Sequence, residues 1–155
     1  MPPLNIVLVH PEIPNNTGNI GRTAAAAGCR LHIIHPIGFD MSGKARRRAG
    51  LDYWHLVDCR EHASWEAFLE QERPTRAWLL TTKGRRAYWD ADYQADDYFI
   101  FGSESGGVPE TVRAWLRSSN GAEHELVMPM QPGIRSLNLA TTVCAAVYEA
   151  RRQLH

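Results

Sequence analysis

Three short segments concentrate the residues able to do chemistry. The first, Pro14-Asn15-Asn16-Thr17-Gly18-Asn19-Ile20-Gly21-Arg22, brings side-chain amides and a guanidinium together ahead of four alanines. Its Gly-Asn-Ile-Gly core fits neither the dinucleotide fingerprint G-x-G-x-x-G nor the Walker pattern G-x-x-x-x-G-K-[ST], so those two phosphate-binding readings fail on spacing. The second, Phe101 to Glu110 (FGSESGGVPE), pairs glycines that let main chain lie against a flat ligand with one carboxylate, Glu104, that can accept from hydroxyls or amines. The third, Met128 to Leu139 (MPMQPGIRSLNL), carries Ser136 and Asn138, either of which can cap the helix that follows. His10 and Glu12, just before the first segment, are further candidates for handling a proton.

Each segment follows a short apolar run and leads into a helical pattern. Leu4 to Val9, Leu31 to His35, Ala77 to Thr82, Tyr98 to Phe101 and Glu125 to Met128 read as buried parallel strands, and Trp54 to Val57 as a weaker sixth. Helices are expected over Thr17 to Ala27, Ser42 to Ala49, Ala63 to Glu70, Pro109 to Leu116 and Ser136 to Gln153. This alternation predicts an α/β fold with a mostly parallel sheet flanked by helices. Loops beyond strand C-termini are where such sheets bind ligands, so the three segments are expected to converge on one site.

The 155 residues fit one domain spanning 1–155, with 44% hydrophobic and 22% charged residues, the composition of a globular protein. No apolar run approaches the ~18 residues of a membrane span, and the N-terminus lacks signal-peptide character; a cytoplasmic protein is expected. Cys29, Cys59 and Cys144 are widely spaced, which argues against a disulfide framework and a cysteine zinc site; they read as buried thiols, and no metal is expected. Basic and acidic residues balance at 17 each, yet Lys44, Arg46, Arg47 and Arg48 form one basic cluster and Lys83, Arg85 and Arg86 another. The small-residue helix after Arg22 and the alanine-rich final helix suggest close packing and a two-fold dimer.

Taken together, the three segments resemble the motifs of the SPOUT class of methyltransferases, N-x5-R, F-G-x-E-x-x-G-[LV]-P and [IV]-P-M…[RS]-S-[LM]-N-[LV], in order and spacing. The stretches PEIPNNTGNI, RRAGLDYW and YEARRQL are similar to the small stand-alone branch that methylates the ribose of the tRNA wobble pyrimidine. That resemblance implies a C-terminal deep trefoil knot, S-adenosylmethionine (SAM) as cofactor, and methyl transfer to the 2′-hydroxyl of nucleotide 34. Transfer at another tRNA position or on ribosomal RNA, or a non-catalytic RNA-binding module, are the alternatives.

By motif position, the resemblance implies cofactor contacts from Leu80, Gly102, Met128, Ser136 and Leu137, and catalytic roles for Arg22, Asn16, Glu104 and Asn138. Arg22 stands at the position credited with activating the hydroxyl. A guanidinium pKa above about 12 favours binding the adjacent phosphate and stabilising the developing alkoxide over proton abstraction. The partner is expected to be a tRNA anticodon stem-loop gripped by a homodimer, with phosphate contacts from Arg46, Arg47, Arg48, Lys83 and Arg85. Ser105-Gly106, Gly133-Ile134 and Ala140 depart from the pattern of relatives.

Overall fold

Strand and helix alternate along the chain in the order the apolar runs predict. The computed structural model describes residues 2–155. It contains β1 (Asn5–Val9), α1 (Pro14–Ala27), β2 (Arg30–Ile34), α2 (Gly43–Arg48), β3 (Asp58–His62), α3 (Trp65–Glu72), β4 (Ala77–Leu80), β5 (Arg86–Ala87), β6 (Tyr98–Phe101), α4 (Glu110–Ser119), β7 (Glu125–Val127) and α5 (Leu139–Leu154). All pairings are parallel, in one sheet of order β3-β2-β1-β6-β4-β7-β5.

Both faces of the central strands are buried, which is why they read as continuous apolar runs. Ile6 and Leu8 pack with Ile20 and Ala24 of α1 and with Val143, Ala146, Val147 and Ala150 of α5. Val7 and Val9 point the other way, into a layer with Trp65 and Phe68 of α3 and Val112 and Leu116 of α4. Each large side chain withdrawn from water here contributes about 1.5–3 kcal/mol. Ala24, with Ala27 partly buried beside it, lets α1 pack closely against α5 of the same chain.

Local signals set the helix ends. Pro14 opens α1 in its first turn, and Gly28, at φ 70°, ends it in the left-handed region. The Ser64 hydroxyl accepts from the Ala67 amide at 3.0 Å and caps α3. Asn138 caps α5, so that helix starts three residues later than the sequence pattern suggests and leaves Ser136 and Leu137 in the preceding loop.

Two expectations need correction. Trp54 to Val57 is not a strand: Trp54–Leu56 form a 3-10 turn, and the sixth strand is the adjacent Asp58–His62. As an edge strand β3 is mostly exposed, so its polar sequence gives no hydrophobic signal. Cys144 is exposed, because the buried stripe of α5 runs through Val143, Ala146, Val147 and Ala150 and turns Cys144 outward. The same stripe leaves the opposite face of α5 uncovered within this chain. No described helix is long and apolar enough to cross a membrane.

Candidate active site

The C-terminal ends of β4, β6 and β7 open onto a cleft of about 670 Å³. Such a volume lies within the range of small-molecule and cofactor sites. Leu80 lies at the end of β4 beside Phe101 of β6, with which it is in register, and is 8% exposed. Gly102 to Val108 form one wall, and Met128, Met130 and Arg135 to Leu139 another. Ile13 and Asn16 close the side nearest α1.

A chain of hydrogen bonds fastens the three polar loops. Asn138 Nδ2 donates to Asn16 Oδ1 at 3.0 Å, and Asn16 Nδ2 donates to Glu104 Oε2 at 3.2 Å. Glu104 also accepts from the backbone amides of Glu12 and Ile13, both at 2.9 Å. In return the Glu12 carboxylate accepts from the Ser105 amide at 2.9 Å and from the Ser105 hydroxyl at 2.7 Å. The two loops thus clasp each other through reciprocal carboxylates. Donation from Ser105 holds the Glu12 carboxyl below the usual carboxylate range.

The glycine wall depends on the absence of a side chain at Gly102. A Cβ there would lie 2.2 Å from the Gly107 carbonyl carbon and 2.5 Å from Val108 N. That space lets the loop fold back so that Ser103 and Gly107 exchange backbone hydrogen bonds, each at 3.1 Å. Asn138 does two jobs at once. While its amide reaches Asn16, its Oδ1 accepts from Ala140 N at 2.9 Å and Thr141 N at 3.3 Å, capping α5.

Eight of the nine catalytic and cofactor candidates meet here: Asn16, Leu80, Gly102, Glu104, Met128, Ser136, Leu137 and Asn138 all line the cleft. Arg22 does not. It is exposed on α1, with its guanidinium 5.3 Å from the centre of the Tyr53 ring. Tyr53 is tied to the same helix, its hydroxyl donating to Gly18 O at 2.6 Å. His10 is occupied structurally, its Nδ1 lying 3.2 Å from Ile34 O.

The basic candidates are scattered. Lys83 lines the cleft, whereas Arg85 sits in a small side depression with Lys83, Arg117 and Glu125. Arg46 donates to Met41 O and lies over the Trp54 ring at 5.8 Å, while Arg47 and Arg48 are exposed. Sequence reasoning missed Arg113, which lines the cleft and bonds both Glu125 Oε1 at 3.0 Å and Thr81 Oγ1 at 3.3 Å. It also assigned Arg135 no definite role, although Arg135 lines the cleft and makes no ion pair among the described residues. A basic residue in the first turn after Pro109 was the available signal for Arg113.

Fold and cleft together define an α/β protein whose ligand site is assembled by loops beyond parallel strands. Residues 3–148 match the SpoU rRNA Methylase family, and the chain belongs to that family. It is 49% identical over 151 residues to the tRNA (cytidine(34)-2'-O)-methyltransferase of Escherichia coli strain K12, covering 97% of this chain and 94% of that one. A solved structure described as giving insights into the 2-OH methylation of C/U34 on tRNA superposes with a TM-score of 0.86 at 47% identity, covering 97% of this chain and 95% of that chain. An AdoMet-bound rRNA methyltransferase from Sinorhizobium meliloti shares the fold at TM-score 0.83 and 24% identity, covering 99% of this chain and 57% of that one.

Proposed function

We propose that the protein transfers a methyl group from SAM to the ribose 2′-hydroxyl of nucleotide 34 in the tRNA anticodon loop. The observation that carries this reading is the Asn138–Asn16–Glu104 chain, which draws all three motif loops around one cleft. The names borne by the relatives above supply the substrate class.

The cleft residues fit SAM. Leu80 and Met128 offer apolar surface for the adenine faces, and Leu137, 41% exposed, is an apolar side chain for the cofactor to cover. Gly102 lets main chain approach the bound molecule, and Ser136 offers a hydroxyl beside it. The sulfonium of SAM supplies the methyl group. The C-terminal trefoil knot belongs to the same proposal, since the loop bearing Ser136 and Leu137 would be its crossing segment.

Arg22 is assigned to the RNA rather than to the cofactor. Its guanidinium lies over the Tyr53 ring outside the cleft, and we assign it to a phosphate beside the target ribose and to stabilising the alkoxide as the hydroxyl loses its proton. Asn16 and Asn138 fix the loops against which the ribose docks, and Glu104 holds the clasp. Alignment of hydroxyl, methyl and sulfur supplies roughly 7–11 kcal/mol of such a barrier, more than the factor of about 10²–10⁴ typical of general-base help. Arg47, Arg48, Lys83, Arg85 and Arg135 are the phosphate contacts in this reading, joined by Arg46 where it is released from Met41 O and the Trp54 ring.

The uncovered face of α5, where Thr141, Cys144 and Tyr148 follow one another at helical spacing, is the dimer surface in this reading. Light scattering at the mass of two chains would support it, and a single-chain mass would refute it. The reading as a whole is tested by incubating the protein with methyl-labelled SAM and, separately, unmodified tRNA and ribosomal RNA. Label in tRNA alone supports it; label in ribosomal RNA alone, or no label in either, contradicts it.

A further inference from the structure

Away from the cleft, two histidines and a carboxylate meet between β2, β3 and α3. His32 and His62 are 0% and 3% exposed, and His32 Nδ1 lies 3.1 Å from His62 Nε2. Both outer ring nitrogens face amide oxygens: His32 Nε2 is 3.1 Å from Asn5 Oδ1, and His62 Nδ1 is 2.7 Å from Gln71 Oε1. The Asn5 amide is held in that orientation, because its Nδ2 donates to Asp96 O at 3.2 Å and Asp96 Oδ1 at 3.1 Å.

A carbonyl oxygen only accepts, so each imidazole donates outward and keeps its lone pair on the inner nitrogen. With Gln71 presenting Oε1 to His62, two lone pairs then face each other in a buried space, an arrangement that a cation between them would satisfy. Glu72 completes the set, with Oε2 4.0 Å from His62 Nε2 and all three donor atoms within 4.8 Å of one another. Arg60 Nη1 donates to both oxygens of the same carboxylate, to Oε1 at 3.0 Å and to Oε2 at 3.3 Å, which orients it and leaves a second lone pair of Oε2 for an ion.

We propose that His32 Nδ1, His62 Nε2 and Glu72 Oε2 bind a late first-row transition-metal dication of the zinc class, with water as the fourth ligand. Two nitrogens and a carboxylate suit zinc and its neighbours, whereas calcium and magnesium require oxygen ligands. Tetrahedral zinc with bonds of about 2.0–2.1 Å places two nitrogens about 3.3 Å apart, close to the separation seen here. Outward donation from both rings to amide oxygens is the outer-shell pattern that orients metal-bound histidines. The cysteine spacing that argued against zinc does not bear on this site, which β2, β3 and α3 assemble.

The ion fastens the edge strand β3 to β2 and α3. The excursion between those strands carries α2 with Arg46, Arg47 and Arg48, so the metal also fixes the two ends of that basic segment.

The test uses chelator-treated full-length protein carrying Cys144→Ser, which removes the one exposed thiol. Zn²⁺ is titrated calorimetrically against a competing chelator, and Co²⁺ is followed by its visible absorption. One equivalent should bind, giving a tetrahedral Co²⁺ spectrum and raising Tm by roughly 5 °C or more at about 100-fold excess over Kd. Glu72→Gln, at the end of α3, should weaken binding at least about tenfold, and His62→Gln should abolish stoichiometric binding. Failure of one equivalent to bind the Cys144→Ser protein, or undiminished binding when Glu72→Gln is added to it, would overturn the proposal even if His62→Gln folds poorly.

Discussion

The side-chain amide of Asn138 donates to Oδ1 of Asn16 across 3.0 Å, joining positions 122 residues apart. The bond explains why the C-terminal segment cannot be read alone. By itself Asn138 is a helix cap, and it does cap α5. The same side chain also closes the cleft against the first loop, so capping and loop closure fall to one residue.

Arg22 lies outside the cleft, so its proposed role at the reacting hydroxyl can be tested apart from cofactor binding. Lysine at this site keeps a charge but loses the planar fork that can hold phosphate and alkoxide together. Arg22→Lys should therefore lower the single-turnover rate of methyl transfer by at least about 10²-fold. Its SAM affinity by equilibrium dialysis should match the native protein, and an equal loss of both would place Arg22 in the cofactor site.

Gly102 and Gly106 should respond differently to the same added methyl group. A Cβ on Gly102 meets backbone atoms of Gly107 at 2.2 and 2.5 Å, whereas one on Gly106 meets only the Ser103 hydroxyl at 3.3 Å. Gly102→Ala should cost about 1–3 kcal/mol in stability and weaken SAM binding at least about tenfold. Gly106→Ala should remain near native in melting and calorimetric binding.

The clasp between Glu12 and Ser105 predicts a pH dependence. Because Ser105 donates to the carboxylate, the folded-state pKa lies below that of the unfolded chain. The stabilising contribution of the clasp is thus present above the ordinary glutamate value of about 4.3 and is lost as pH falls through the lower folded value. SAM affinity should decline in that acid window. Glu12→Gln should bind more weakly at neutral pH and lose less on acidification, as read by calorimetry between pH 7 and 3.

Within the basic cluster, the exposed pair should dominate the response to salt. Arg46 is engaged with Met41 and Trp54, but Arg47 and Arg48 face solvent. Arg47→Ala and Arg48→Ala should each flatten the slope of log tRNA affinity against log salt by about 0.7–0.9. Unchanged slopes in filter binding would remove α2 from the RNA interface.

How far the sequence could be read depends on where each signal lies. Central strands such as β1 and β6 are buried on both faces and announce themselves as apolar runs. Edge pieces do not: the exposed β3 is polar, and β5 has only two residues. The apolar Trp54, Leu56 and Val57 drew the strand reading one element too early, although Leu56 is 66% exposed on a 3-10 turn.

Much of the cleft was legible because most of its polar loop residues fall in three contiguous motifs. Arg113 was not, since its link to Glu125 and Thr81 depends on β4, α4 and β7 coming together. The pairing of His32 with His62 is hidden for the same reason, because only the register of β2 with β3 sets it. Outward-facing Cys144 likewise depends on which side of α5 meets the sheet.

The central claim is most directly tested by locating the transferred methyl group. tRNA lacking ribose methylation at nucleotide 34 is treated with the protein and methyl-labelled SAM, digested, and mapped by mass spectrometry. The account predicts label on the ribose 2′-oxygen of nucleotide 34 and nowhere else. Label on a base, or on the ribose of a different nucleotide, would contradict it.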